Sequence, residues 1–276
     1  MIRVAHSPDS DDAFMFYALA TGKIPTGNRA YSHELSDIES LNRRALSGEL
    51  EVTAISIHAY AYIADKYALL SHGASIGDRY GPRLVAKTLP PPKPKAAVRG
   101  LRIGIPGKLT TAFLALSLYQ PDFQPVEMQF DEILDAVCAG AVDAGLIIHE
   151  GQLTYADSGL KLWADMGEWW YSETGLPLPL GGNVVRRDLG DELISQISND
   201  LKSSIVYALE HRDEALDYAM RYARGLERSD ADRFIDMYVN NYTVDYGQDG
   251  RKAVQLLLDR AAEASIIPSE VKVEFV

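Results

Sequence analysis

The apolar run Val142-Asp-Ala-Gly-Leu-Ile-Ile148 stops abruptly at an ionisable pair, His149-Glu150. A buried strand that ends in imidazole and carboxylate is a place for proton transfer, because neutral imidazole accepts a proton near pH 7. A structural histidine bonded to a backbone carbonyl is the competing interpretation. Successive residues of an extended chain point to opposite faces, so one member of the pair is expected to enter a cleft. The pair is not a zinc-protease motif, since the second histidine would fall at Leu153. A second chemically capable segment is Gly104-Ile-Pro-Gly107-Lys-Leu-Thr-Thr111. It is not a P-loop, because Lys108 is not followed directly by Ser or Thr. It does have the parts of an anion site. Gly107 lets the backbone approach, Thr110 and Thr111 offer hydroxyls, and a helix start offers N–H groups. An ordinary threonine N-cap explains the same residues equally well.

At the corresponding positions near the N-terminus stand Asp11 and Asp12, which repel an anion. The two loops are therefore expected to do different work. Gly107–Thr111 holds a carboxylate, while Ser7–Asp12 caps its own helix or faces hydroxyls. Adjacent Trp169 and Trp170 either wall a pocket for a flat ring or fill the core between domains. His6, His33, His58, His72 and His211 show no metal-ligand spacing, and neither a Gly-x-Ser-x-Gly elbow nor a Gly-x-Gly-x-x-Gly run is present. No metal is expected. Cys138, inside a helix-like stretch, is expected to be a small buried apolar residue.

These loops need strands and helices to hold them, and the chain supplies those twice. Residues 3–19 align without gaps on residues 102–118, with Arg3/Arg102, Ala13/Ala112, Phe14/Phe113 and Leu19/Leu118 identical. Both segments read as strand, polar turn, helix. A helix-like stretch from Asp37 to Gly48, opened by Ser36 with Glu39 three residues on, leads into an apolar run ending at Ser56. Asp131 to Gly140 leads into the run ending at Ile148 in the same way. This duplication predicts two lobes. Alternating strand and helix units predict a largely parallel sheet in each. Residues 89–99, rich in proline, read as a stiff connection. One lobe is then 1–88 together with about 183–276, and the other about 100–182. Leu193, Ile197, Leu201, Ile205 and Leu209 recur every four residues, as on one face of a helix. Further helical stretches are expected over 213–224, 230–240 and 248–264, as scaffold. In such sheets ligands bind beyond the carboxyl ends of the strands. That rule selects four loops for one cleft: Ser7–Asp12, Ser56–His58, Gly107–Thr111 and His149–Glu150.

Composition narrows the partners. The 276 residues are 47% hydrophobic, enough for one large or two modest domains. A formal net charge of −12 argues against nucleic acid or an anionic membrane as partner. A single cysteine allows no internal disulfide and no Cys-rich zinc site. The start Met1-Ile-Arg-Val-Ala-His6 has no basic segment leading into an apolar one, so a cytoplasmic location is expected. No run approaches the roughly 20 apolar residues of a membrane span.

Several runs together carry a family resemblance. Gly145-Leu-Ile-Ile-His-Glu150, Pro106-Gly-Lys-Leu-Thr-Thr-Ala112, Thr174-Gly-Leu-Pro-Leu-Pro-Leu-Gly181, Asp37-Ile-Glu-Ser-Leu-Asn-Arg43 and the closing Phe275-Val276 resemble the 1,4-dihydroxy-6-naphthoate synthases, over essentially the whole chain. The resemblance implies a two-lobed α/β fold of the type II periplasmic-binding-protein-like kind, with a central ligand cleft. It implies a cofactor-independent lyase of the futalosine route to menaquinone, acting on cyclic dehypoxanthinyl futalosine, a small-molecule carboxylate. It further implies His149 as the base, with substrate contacts on Ala54, Ile55 and Ser56 and on Thr110 and Thr111. Ser7, Asp12, Gly107, Glu150, Trp169 and Trp170 are further cleft candidates. One segment departs from the family pattern Ser-Pro-Cys-Pro-Asn-Asp. Here it is Ser7-Pro-Asp-Ser-Asp-Asp12, so no family role transfers to Asp9, Ser10 or Asp11. Three rivals remain: a solute-binding protein of the same fold, which would require export and no base; the sibling chorismate dehydratase; and a small-carboxylate enzyme that kept the scaffold and changed its substrate. The Ile-Ile-His-Glu and Leu-Pro-Leu-Pro-Leu-Gly runs weigh against the dehydratase.

Overall fold

The computed structural model describes residues 1–223 and 226–276. Eleven strands are found among them: β1 Ile2–His6, β2 Tyr31–Leu35, β3 Val52–Ser56, β4 Tyr67–Leu69, β5 Ser75–Gly77, β6 Arg83–Ala86, β7 Arg102–Ile105, β8 Gln124–Glu127, β9 Ala144–Ile147, β10 Lys161–Asp165 and β11 Leu178–Arg186. They form two sheets. The first runs β2-β1-β3-β11-β4, with β5 also on β11, and the second runs β10-β6-β9-β7-β8. Strands β2, β1 and β3 are parallel, as are β8, β7 and β9. The sheets are otherwise mixed, because β11 is antiparallel to its neighbours and so is β6. Read from β2 and from β8, the two orders match strand for strand, and the single reversed strand in each arrives from the other half of the chain. This is the duplication expected from the aligned segments.

Sheet membership corrects the expected boundary. The chain crosses between Gly77 and Arg83 and returns between Asp165 and Leu178. The proline-rich residues 89–99 therefore lie between β6 and β7, inside the second lobe. Proline cannot donate to a ladder, so the segment suits a surface loop, but nothing obliges a stiff loop to join domains.

Helix Ser10–Ala20, which follows β1, is buried along Ala13–Leu19, as an all-apolar core helix must be. Helix Asp191–Glu210 covers it, with Ile197, Leu201 and Ile205 buried and Leu193 and Leu209 partly buried at its ends. The other helical stretches appear as Arg212–Ala219, Arg228–Tyr238 and Gly247–Glu263; the expected end at Arg224 lies outside the described residues. A continuous core joins both sheets, running from Ile55 and Leu69 through Leu114 to Ile103 and Leu146. Among the described residues, no helix is long and apolar enough to cross a membrane.

Two further expectations are corrected. Trp170 is fully buried in that shared core, and its Nε1 donates to the Pro177 carbonyl at 3.1 Å. Trp169 packs edge-on to Trp170 and Tyr119. Trp170 fills the interior, Trp169 packs partly buried against it, and neither lines the cavity at the strand ends. Trp170→Ala is expected to destabilise the fold by about 3–5 kcal/mol through the cavity it leaves. A lowered denaturant midpoint at constant slope would confirm this, and a midpoint within error of wild type would refute it. Cys138 is exposed. Its helix, Ile133–Ala139, turns Ile133 and Val137 inward, and the next position falls about 100° around the helix, toward solvent.

Candidate active site

The carboxyl ends of β1, β3, β7 and β9 meet at one cavity of about 110 Å³. Ser7, Asp9, Asp11 and Asp12 line it from β1; Ala54, Ile55 and Ser56 from β3; Thr110, Thr111 and Ala112 from β7; and Ile148 and His149 from β9. All four loops chosen by the strand-end rule contribute to it. Among the other lining residues, Gln152, Asn183, Phe234 and Tyr238 were not foreseen. No sequence signal marks them, because they approach from elements far apart in the chain. Gln152 and Tyr238 meet across the lobes, with the Tyr238 hydroxyl donating to Gln152 Oε1 at 2.8 Å.

Four candidates lie outside the lining, namely Gly107, Glu150, Trp169 and Trp170. Glu150 turns away from the cavity and accepts from the Ser10 hydroxyl at 3.0 Å, tying the two lobes together. Gly107, at φ +143°, touches Glu39 of the first lobe, where a Cβ would sit 2.4 Å from Oε2. The same oxygen accepts from Leu109 N at 3.0 Å. The Gly107 turn thus does hold a carboxylate, but it is the protein's own.

His149 adopts φ +56°, a left-handed conformation uncommon for a residue with a Cβ. Its Nδ1 lies 2.8 Å from Asp9 Oδ2. An ionised carboxylate only accepts, so Nδ1 carries the proton of that bond. Nε2 is buried with no hydrogen-bond partner. Burial works against protonation of this imidazole, but the charge and hydrogen bond of Asp9, then the charges of Glu150 and Asp11, outweigh it and hold the pKa up to about 9. Burial also pushes Asp12 up to about 6, against two bonds from Ser7, whose N–H and hydroxyl donate to Asp12 Oδ2 at 2.8 and 2.7 Å. Asp11 is also raised well above the usual carboxylate value, by burial and then by the charges of Asp12, Asp9 and Glu150. Within the first-lobe loop Asp12 thus closes the turn onto Ser7, while Asp9 reaches His149.

The structure shows the N-cap at Thr110 and gives Thr111 partners of its own. Thr110 is the N-cap of helix Thr111–Tyr119, its Oγ1 accepting from Phe113 N and donating to Gly107 O. The Thr111 hydroxyl donates to Leu180 O at 2.6 Å and accepts from His58 N at 3.1 Å. Both hydroxyls are engaged within the protein. What the helix start offers a ligand is the N–H groups of its first turn, at Thr111 and Ala112, which have no intrahelical acceptor. Ser56 is set by Asn42, which accepts from Ser56 N and donates to its Oγ at 3.0 Å, leaving the hydroxyl hydrogen for another acceptor. Among the described residues, no lysine or arginine lines the cavity. Its positive end is the helix start and its negative end the aspartate loop.

A family model described as menaquinone biosynthesis matches residues 2–263. The chain is 42% identical over 260 residues to the 1,4-dihydroxy-6-naphtoate synthase of Thermus thermophilus, covering 94% of this chain and 93% of that protein. It is 37% identical over 274 residues to the protein of the same name from Streptomyces coelicolor, covering 97% and 95%. Among solved structures, protein AF1704 of Archaeoglobus fulgidus matches with a TM-score of 0.92 at 51% identity, over 96% of this chain and 98% of that one. The periplasmic aliphatic sulphonate-binding protein SsuA of Escherichia coli matches with a TM-score of 0.66 at 14% identity, over 98% and 89%, a likeness of fold alone. A cleft between two duplicated α/β lobes, and sequence matches spanning nearly the full length, make this chain a member of the menaquinone-biosynthesis family, built on the periplasmic-binding-protein-like fold.

Proposed function

We propose that the chain is a 1,4-dihydroxy-6-naphthoate synthase, a cytoplasmic carbon–carbon lyase that converts cyclic dehypoxanthinyl futalosine to 1,4-dihydroxy-6-naphthoate and dihydroxyacetone. The observation that carries this reading is the Asp9–His149 pair, whose Nε2 is left over at a cavity that also holds a helix start. The relatives' names supply the reaction. The substrate carboxylate sits on the N–H groups of Thr111 and Ala112, with Ala54, Ile55 and Ser56 along its flank. His149 Nε2 takes the proton of a hydroxyl placed β to a carbonyl. The C–O bond becomes C=O, the C–C bond breaks, and its electron pair moves onto the neighbouring carbonyl as an enolate. Asp9 stabilises the imidazolium formed, which can return the proton to that enolate. The substrate's own carbonyl is the electron sink, so the reading requires no cofactor. Lobes closed on the cavity exclude water from the intermediate.

The raised proton affinity of His149 favours a second role, as acid. At neutral pH the imidazole holds both protons, since its pKa lies at about 9. If it acts as base, kcat/KM should climb with pH by about tenfold per unit until near that value. A fall above it would mark His149 as the acid instead.

Thr111→Val removes the bridge between His58 N–H and Leu180 C=O and displaces the helix start. KM should rise about five- to tenfold with a lower melting temperature, as for a lost buried hydrogen bond. An unchanged KM would take Thr111 out of the site. The direct test is anaerobic incubation with cyclic dehypoxanthinyl futalosine, followed by chromatography for 1,4-dihydroxy-6-naphthoate. Product supports the synthase. Binding without turnover by a folded sample would favour a solute-binding protein, and a dehydratase would turn over chorismate in its place.

A further inference from the structure

Asn183 lies within β11, paired with Ala54 of β3, and lines the cavity at 1% exposure. Its Nδ2 donates to the Gly73 carbonyl at 2.9 Å. That bond fixes the amide, because turning it over would set two oxygens against each other. Gly73 is shaped for the contact: at φ +81°, a Cβ there would lie 2.3 Å from Nδ2. The backbone carbonyl of Asn183 accepts from Leu70 N. The side-chain oxygen, Oδ1, is buried and has no hydrogen-bond partner. A buried acceptor left unmade is a standing cost to the fold. The residues before it on the strand, Leu180, Gly181 and Gly182, also line the cavity and carry no polar side chain.

We infer that Asn183 is a specificity-determining residue, its Oδ1 accepting a hydrogen bond from a hydroxyl at the end of the substrate away from the carboxylate. This rests on the substrate reading given above. Leu180 O holds Thr111 at the helix start, and Asn183 follows three residues later on β11, about 10 Å further along an extended strand. A two-ring acid anchored by its carboxylate at the helix start spans that length. An amide oxygen only accepts, so this position selects an alcohol and rejects a ketone or ether oxygen, whose lone pairs would face it.

The test compares wild type with Asn183→Leu on cyclic dehypoxanthinyl futalosine and on analogues lacking its sugar-derived hydroxyls one at a time. Binding is followed by calorimetry, turnover by kcat/KM and folding by thermal melting. One deoxy analogue should lose about ten- to a hundredfold in kcat/KM with wild type, as for a site built around a hydroxyl. Asn183→Leu should lose a similar factor on the full substrate and lose no more on that analogue. Should Asn183→Leu fail to fold, Asn183→Ala repeats the comparison, because it withdraws the acceptor without adding bulk beside Gly73. If every deoxygenation costs the same factor in wild type and variant, Oδ1 is served by water and the inference fails while the synthase reading stands. If wild type neither binds nor converts the full substrate, the synthase reading itself has failed and the inference falls with it.

Discussion

His149→Ala should lose about 10²–10⁴ in kcat, the range of a missing proton-transfer group, and keep the fold. The left-handed backbone at this position makes His149→Asn a useful companion, because asparagine tolerates that conformation better than alanine. Both variants should bind the substrate with affinity close to wild type, since the proposed carboxylate anchor is the helix start and not the imidazole. Full turnover in either would end the proposed mechanism. The same substitutions should change how stability depends on pH. The imidazole is raised from 6.5 to about 9 in the fold. Its pairing therefore stabilises fully below about 6.5 and is lost as pH rises through about 9. Wild type should lose stability across that window, and His149→Asn should lose the part of the slope that His149 contributes. An equal loss of unfolding free energy between about pH 6 and pH 9.5 in wild type and His149→Asn would show that the pair carries no such linkage.

Asp9→Asn is the second large effect. Asp9 is the chief group opposing the burial that otherwise lowers the proton affinity of His149. Asparagine can still accept from Nδ1, so orientation is retained while the charge is lost. The midpoint of the pH–kcat/KM profile should fall from near 9 by a unit or more. The plateau should drop about 10–100-fold, because a base of lower pKa abstracts less readily. A profile that keeps its midpoint would take Asp9 out of the site's electrostatics. The result bears on how this chain departs from its family pattern. Asp9 is one of the three positions at which Ser7-Pro-Asp-Ser-Asp-Asp12 differs from Ser-Pro-Cys-Pro-Asn-Asp, and it is the residue that touches the imidazole.

Much of this arrangement is written in local sequence. Apolar runs of strand length that end in polar loops place Ser56, Thr110, Thr111 and His149 at strand ends, and strand ends of parallel sheets face ligands. Every fourth residue apolar from Leu193 to Leu209 makes a covering helix, and residues 3–19 against 102–118 announce two similar lobes. Each of these signals acts within a few residues of itself, which is why one chain read alone reveals it.

The tertiary structure decided which side chains meet. Asp9 reaches His149, Ser10 reaches Glu150, and Tyr238 reaches Gln152 across gaps of 86 to 140 residues. The Gly107 turn receives Glu39 from the other lobe instead of a ligand. Trp169 and Trp170 read as a pocket wall or, for at least one of them more readily, as core, and only the packing shows that Trp170 is fully buried, its Nε1 on the Pro177 carbonyl. Cys138 sits one position past the inward-facing Val137, a difference of about 100° that a small apolar stretch does not encode. Spacing along a strand or helix sets where a residue points relative to its own element. The charge and hydrogen bonds that set its chemistry come from the opposite lobe, and the closure that brings them together depends on the whole core.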